Sequence, residues 1–134
     1  VGEARDDLKR VWVPVSPGEL CDRLTILELK VVRMTSPERR EAAAKLLSDH
    51  ARAWEEAGLP PRSSLPEDLG LREVNAALWD VEDTLRTHER QGLFDDTFVR
   101  LARGVYTLND ERARLKAALD ARLGAGGTEP KEHA

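Results

Sequence analysis

The sequence predicts an all-α fold: a bundle of four main helices with a short N-terminal extended segment and a flexible C-terminal tail. Three observations carry this expectation. Apolar residues return at three- and four-residue intervals over four long stretches, the spacing of one helix face. Ser-Pro pairs at Ser16-Pro17 and Ser36-Pro37 read as helix starts, while Gly58, Gly92 and Gly124 follow the periodic stretches as stops. Hydrophobic residues make up 40% and charged residues 34%, with Leu, Ala, Glu and Arg prominent, which suits a soluble and mostly helical chain.

Each element follows from local signals. Val11 to Val15, VWVPV, reads as a short extended segment, and Pro14 confines it to an edge. Ser16 at the cap, Pro17 at the first helical position and Glu19 three residues after the cap form a capping box, so the first helix starts there and runs to about Met34. Ser36-Pro37-Glu38 restarts the chain after a tight turn. The second helix spans Pro37 to Ala57 and ends at Gly58, before the Pro- and Ser-rich LPPRSSLPEDLG. The third covers Leu71 to Gln91, with Pro66 as the alternative start, and Gly92 stops it. After the turn at Leu93-Phe94, Asp95 or Asp96 caps a fourth helix that continues to Leu123. Residues 1–123 then make one helical domain and 124–134 a disordered tail.

Charge and composition exclude several functions. A net charge of −4 lacks the basic excess of nucleic-acid binders, so no nucleic acid is expected. No apolar run reaches the roughly 20 residues of a membrane span, and VGEARDDLKR lacks a signal-peptide core. Cys21 is the only cysteine, which excludes an internal disulfide and thiolate zinc spacing and fits a cytoplasmic protein. His50 among Leu46, Leu47 and Trp54 reads as a hydrogen-bonded core histidine; His88 has no second histidine at ligand spacing, and His133 lies in the tail. No metal and no cofactor are expected. Trp12, Trp54 and Trp79 read as core or interface anchors.

Polar residues caught inside apolar stripes are the informative ones. On the first helix, Leu20, Leu24, Leu27, Val31 and Met34 form a stripe with Glu28 at its edge, so burial of Glu28 is expected. The third helix carries Leu71, Val74, Leu78, Val81 and Leu85, with Asn75, Glu82 and Glu89 running beside them; Glu82 is expected to be at least half buried. In the fourth helix, Phe98, Leu101, Val105, Leu108, Leu119 and Leu123 define an arc whose centre holds Asn109, Arg112 and Lys116. Two buried cations require anionic neighbours, so Glu28 is expected to face Arg112 or Lys116, with Glu82 as the second carboxylate and Tyr106 supplying a phenol. Glu28, Glu82, Tyr106, Asn109, Arg112 and Lys116 are therefore the candidate ligand-binding residues. As an ion network they would fix helix register; as a pocket they would accept a small anionic ligand or partner group, with Arg holding the anion and Glu free to move a proton. Ile26 and Leu29 on the other side of the first helix, together with the edge VWVPV, predict a homodimer.

VPVSPGELCDRLTILELK, ALWDVEDTLRTHE and LFDDTFVRLARGVYTLNDERARLK together resemble the bacterial domain-of-unknown-function family 6165 over most of Val13 to Lys116. The resemblance marks Ser16, Glu19, Asp22, Thr25, Glu28, Trp79, Glu82, Asp83, Arg103, Tyr106, Asn109, Arg112 and Lys116 as shared positions, and implies no activity. Cys21 stands where that family usually has an aliphatic residue, and Gly104 where it tends to have Ser. DRLTILELKVVRM is similar to the first helix of all-helical chorismate mutases, whose sites cradle a dianion, but this likeness covers that helix alone. Glu38-x-x-Glu41 and Asp80-x-x-Asp83 mimic the magnesium-binding pairs of all-helical nucleotide pyrophosphatases; periodicity turns both toward solvent. A binding or accessory protein is the preferred reading, a cofactor-free enzyme on a small anionic metabolite the second, and a purely structural module the third.

Overall fold

Two prolines placed just after serines decide where the first half of the chain turns helical. In the computed structural model, which describes residues 9–124, α1 (Pro17–Arg33) and α2 (Pro37–Glu56) each open on a Ser-Pro pair. Ser16 Oγ accepts from the Glu19 amide at 3.2 Å and Ser36 Oγ from the Arg39 amide at 3.3 Å. The Glu19 half of the expected box takes another course: its carboxylate pairs with Arg23 and Lys116. A 3-10 turn at Arg62–Ser64 leads into α3 (Pro66–Gln91), which begins at Pro66, five residues before Leu71. Pro66 sets the first helical φ, and Glu67 and Asp68 in the first turn suit the positive end of the helix dipole. Gly92 ends α3 in the left-handed conformation at φ 66°. Asp95 caps α4 (Asp96–Arg122), its carboxylate accepting from the Phe98 amide at 2.9 Å.

α1 packs against all three other helices, and α3 and α4 form a long antiparallel pair. The core sits at one end, where Leu20, Cys21 and Leu24 of α1 meet Trp54, Leu65, Leu71 and Leu119. Trp54 closes this end, its indole N–H donating to the Pro60 carbonyl at 2.8 Å. At 1.5 Å per residue α3 and α4 run to roughly 40 Å against roughly 25 Å for α1, so the hairpin they form projects beyond it. Among the described residues nothing in α3 after Leu78 and nothing in α4 before Leu119 is fully buried. Val81, Leu85, Phe98, Leu101 and Val105 make a half-buried seam there, finished by an edge-to-face Phe94–Phe98 pair at 5.2 Å.

Residues 9–16 form neither helix nor strand, and Arg10 ties this arm to Asp49 of α2 at 3.2 Å. Val11 is 89% exposed and Trp12 64%. Among the described residues no helix is long and apolar enough to cross a membrane. The expected frayed start, residues 1–8, and the expected tail from residue 125 lie outside the described residues.

Candidate functional site

α1 and α4 touch at one end and part toward the other, and the side chains between them record the widening gap. At the narrow end the Gly18 amide donates to Asp120 Oδ1 at 2.6 Å. A Cβ on Gly18 would overlap the Lys116 carbonyl oxygen and come within 2.9 Å of Asp120 Oδ1, so only glycine lets the two backbones approach so closely. Next along α1, Glu19 accepts from Lys116 Nζ at 3.1 Å. One turn on, Asp22 spans the wider gap with Arg112: Nε donates to Oδ1 at 2.8 Å and Nη2 to Oδ2 at 2.6 Å. Beyond that, Arg33 draws the last turn of α1 onto α3 through Asp80 at 2.7 Å. A cleft of about 230 Å³ is left, walled by Ile26, Leu29 and Lys30 of α1, Asn75, Leu78, Trp79 and Glu82 of α3, and Asn109 and Arg112 of α4.

The inner end of this cleft is a fully bonded polar knot. Asp22 has no exposed surface, a placement that costs several kcal/mol unless the charge is paired and hydrogen bonded. Besides Arg112, it accepts from Asn75 Nδ2 at 2.9 Å. Asn75 Nδ2 also donates to Thr25 Oγ1 at 3.0 Å, and the Thr25 hydroxyl donates to the Asp22 carbonyl at 2.8 Å. The hydrogen bonds to Asp22 raise the Arg112 pKa, burial opposes them, and the charges of Asp22, Glu19 and Glu82 add to the rise. Arg112 Nη1 is left for the Asn109 side-chain oxygen at 3.4 Å, on the cleft side.

Three of the six predicted residues, Glu82, Asn109 and Arg112, line the cleft together. The other three stand elsewhere. Glu28 faces neither Arg112 nor Lys116; it accepts from Arg62 Nη2 at 2.8 Å and pairs with Arg72 Nη2 at 3.0 Å, and it is 29% exposed, not buried. Arg62 and Arg72 also hold Asp68, at 3.0 and 2.8 Å, which ties the α2–α3 connection to α1. Tyr106 is 64% exposed and contributes no phenol to the knot, because its place on α4 turns away from α1. Lys116 serves Glu19. Glu82, expected to be at least half buried, is exposed: α1 ends at Arg33, which reaches α3 at Asp80, and the cleft opens beside Glu82.

Periodicity missed Asp22, Thr25 and Lys30 on α1, and Arg62 and Arg72 beyond it. Asp22 and Thr25 were marked by the resemblance over SPGELCDRLTILE, and their spacing of three places them on one helix face. Arg62 sits in an irregular connection, where no periodic signal exists. The Cys21 thiol donates to Asp68 Oδ1 at 3.4 Å, and burial, with the Asp68 charge behind it, pushes its pKa up to about 12. His50, expected in the core, is only half-buried; its Nδ1 lies 2.7 Å from the Leu46 carbonyl oxygen one turn back on α2, a hydrogen bond open to solvent. Glu38, Glu41, Asp80 and Asp83 are all exposed, and among the described residues no three His, Cys, Asp or Glu side chains converge on a metal-sized site.

No curated protein and no solved structure matches the chain. A family model does, over residues 11–125, a span that takes in the knot, the cleft and all four helices. The chain belongs to the family of unknown function DUF6165.

Proposed function

We propose that this protein is a small binding module whose α1–α3–α4 cleft takes up a small organic molecule bearing an anionic group. One observation carries the reading: the cleft joins an apolar wall of Ile26, Leu29, Leu78 and Trp79 to the cation of Lys30 and to an Asn109–Arg112 end anchored on the unexposed Asp22. Donors locked by second partners lose little freedom on binding, which favours recognition. The volume of about 230 Å³ lies below the roughly 300–1,000 Å³ of drug-sized sites, so the ligand is of metabolite size. The enzyme reading narrows to Glu82, since Glu28 is committed to two arginines away from the cleft.

The test is a thermal-shift and calorimetric survey of small carboxylates against the wild type and Leu29→Trp, a change that fills the cleft from its apolar side. Carboxylates should stabilise the wild type and not the variant, following mass action. If no carboxylate at millimolar concentration moves the wild-type melting temperature, the cleft is a packing defect and the structural reading replaces this one.

The same proposal places the protein in the cytoplasm as a homodimer. Ile26 and Leu29 now face the cleft, so the exposed arm at Val11 and Trp12 supports the dimer instead. Light scattering at micromolar concentration should give twice the chain mass for the wild type and a single chain for Trp12→Glu; a wild-type monomer would remove the dimer from the proposal.

A further inference from the structure

The charges that line the cleft do not all have partners. Asp22 matches Arg112 in a two-pronged pair, so that cation is already neutralised. Lys30 on α1 and Glu82 on α3 remain, one cationic and one anionic; among the described residues neither side chain makes a hydrogen bond or ion pair, and Glu82 acts on Arg112 by its charge alone. Opposite charges that line one small cleft without meeting leave space between them for a group that satisfies both.

The two amides show the same polarity. Asn75 spends its Nδ2 on Asp22 and Thr25, so what it offers the cleft is Oδ1, an acceptor on the same helix as Glu82. Asn109 spends its Oδ1 on Arg112, so what it offers is Nδ2, a donor beside Arg112 Nη1. The free charge and the free amide atom on α3 are thus acceptors, and those on α4 and at Lys30 donors, with the Trp79 indole contributing its ring face and one N–H.

We infer that the ligand is a zwitterion, an α-amino acid with an apolar side chain of about leucine size. Its carboxylate would take the donors of Lys30 and Asn109, its ammonium would donate to Glu82 and Asn75 Oδ1, and its side chain would lie on Leu78 and Trp79. A dianion such as a phosphate monoester or a dicarboxylate fits poorly, because Glu82 repels its second charge and Arg112 has none to spare. This inference rests on the binding reading above and adds the cationic half of the ligand to it.

Calorimetric titration separates the two claims with three probes of one shape: L-leucine, 4-methylpentanoate, which lacks the ammonium, and 3-methylbutylamine, which lacks the carboxylate. Leucine should bind the wild type at least tenfold more tightly than either truncated probe. Glu82→Gln should weaken leucine and leave 4-methylpentanoate as tight or tighter, so that the gap between the two closes; Lys30→Met should weaken leucine and 4-methylpentanoate and not the amine. Equal affinity of leucine and 4-methylpentanoate for the wild type overturns the zwitterion and leaves the binding reading standing. Absence of binding by all three at millimolar concentration, with no other carboxylate stabilising the protein, overturns both. The wild-type series decides alone if a variant fails to fold.

Discussion

Removing the carboxylate of Asp22 would strand a half-buried guanidinium and take from Asn75 Nδ2 one of its two acceptors. Asp22→Ala should therefore cost about 3 kcal/mol in urea unfolding, the range for breaking one side of a buried pair. Lys116→Met should cost only ~0.5 kcal/mol, because the Lys116–Glu19 pair is partly hydrated and hydrated pairs contribute little. Equal losses in the two variants would mean that the knot is no more than a surface pair. Cys21 sets a pH dependence of opposite sense to acid denaturation. The unfolded thiol ionises at its ordinary value near 9.0 and the folded one at about 12. Its stabilising effect is thus complete below the first value and lost as pH rises toward the second, at about 1.4 kcal/mol per pH unit. The alkaline limb of wild-type stability should be steeper than that of Cys21→Ala by this amount; parallel limbs would contradict the buried thiol. The need of Arg112 for an anion was legible in the sequence, and the identity of that anion was not. Glu28 and Asp22 lie about 120° apart around the axis of α1. A periodic pattern tells which face a residue occupies without telling which partner waits opposite; Arg62 reaches Glu28 from a connection that carries no such pattern, and Arg72 from beside the α3 stripe.

Two glycines inside helices separate propensity from packing. Gly104→Ala meets nothing within 4 Å, so the helix gains roughly 0.5–1 kcal/mol from alanine's higher propensity. Gly18→Ala drives a methyl into the Lys116 carbonyl and should cost about 3 kcal/mol, since backbone cannot turn aside as a side chain can. Paired denaturant curves check both; a neutral Gly18→Ala would show that α1 and α4 are not in backbone contact. Helix ends were legible wherever a side chain or glycine performs the capping, as at Ser16, Ser36, Gly92 and Asp95. For α3 the sequence leaves two starts, Leu71 where the apolar stripe opens and Pro66 where the helix in fact begins. The first turn instead buries Glu67 and Asp68 against Arg122, Arg62 and Arg72, and a charged first turn has no apolar period to read.

The molecule has a well-packed end and a thin end. Beyond α1 the α3–α4 hairpin is two helices deep, with its seam half open to water. Amides in the distal halves of both helices should exchange hydrogen at free energies well below global unfolding, while α1 amides exchange only on complete unfolding. Uniform protection in the isolated chain would contradict this thin end, and protection that grows with protein concentration would place a second copy on it. The stripes of both helices were correct as contact lines, but a stripe cannot disclose how many layers cover it, and so Glu82 was expected inside. One mechanical consequence follows from the backbone contact at Gly18. That contact is a fulcrum, and Lys30 stands twelve residues, or about 18 Å, along the lever. A tilt of α1 by about 5° would shift Lys30 by about 1.5 Å on that arm while Gly18 hardly stirs. Changes at the fulcrum that touch no ligand would thereby retune the jaw at its far end.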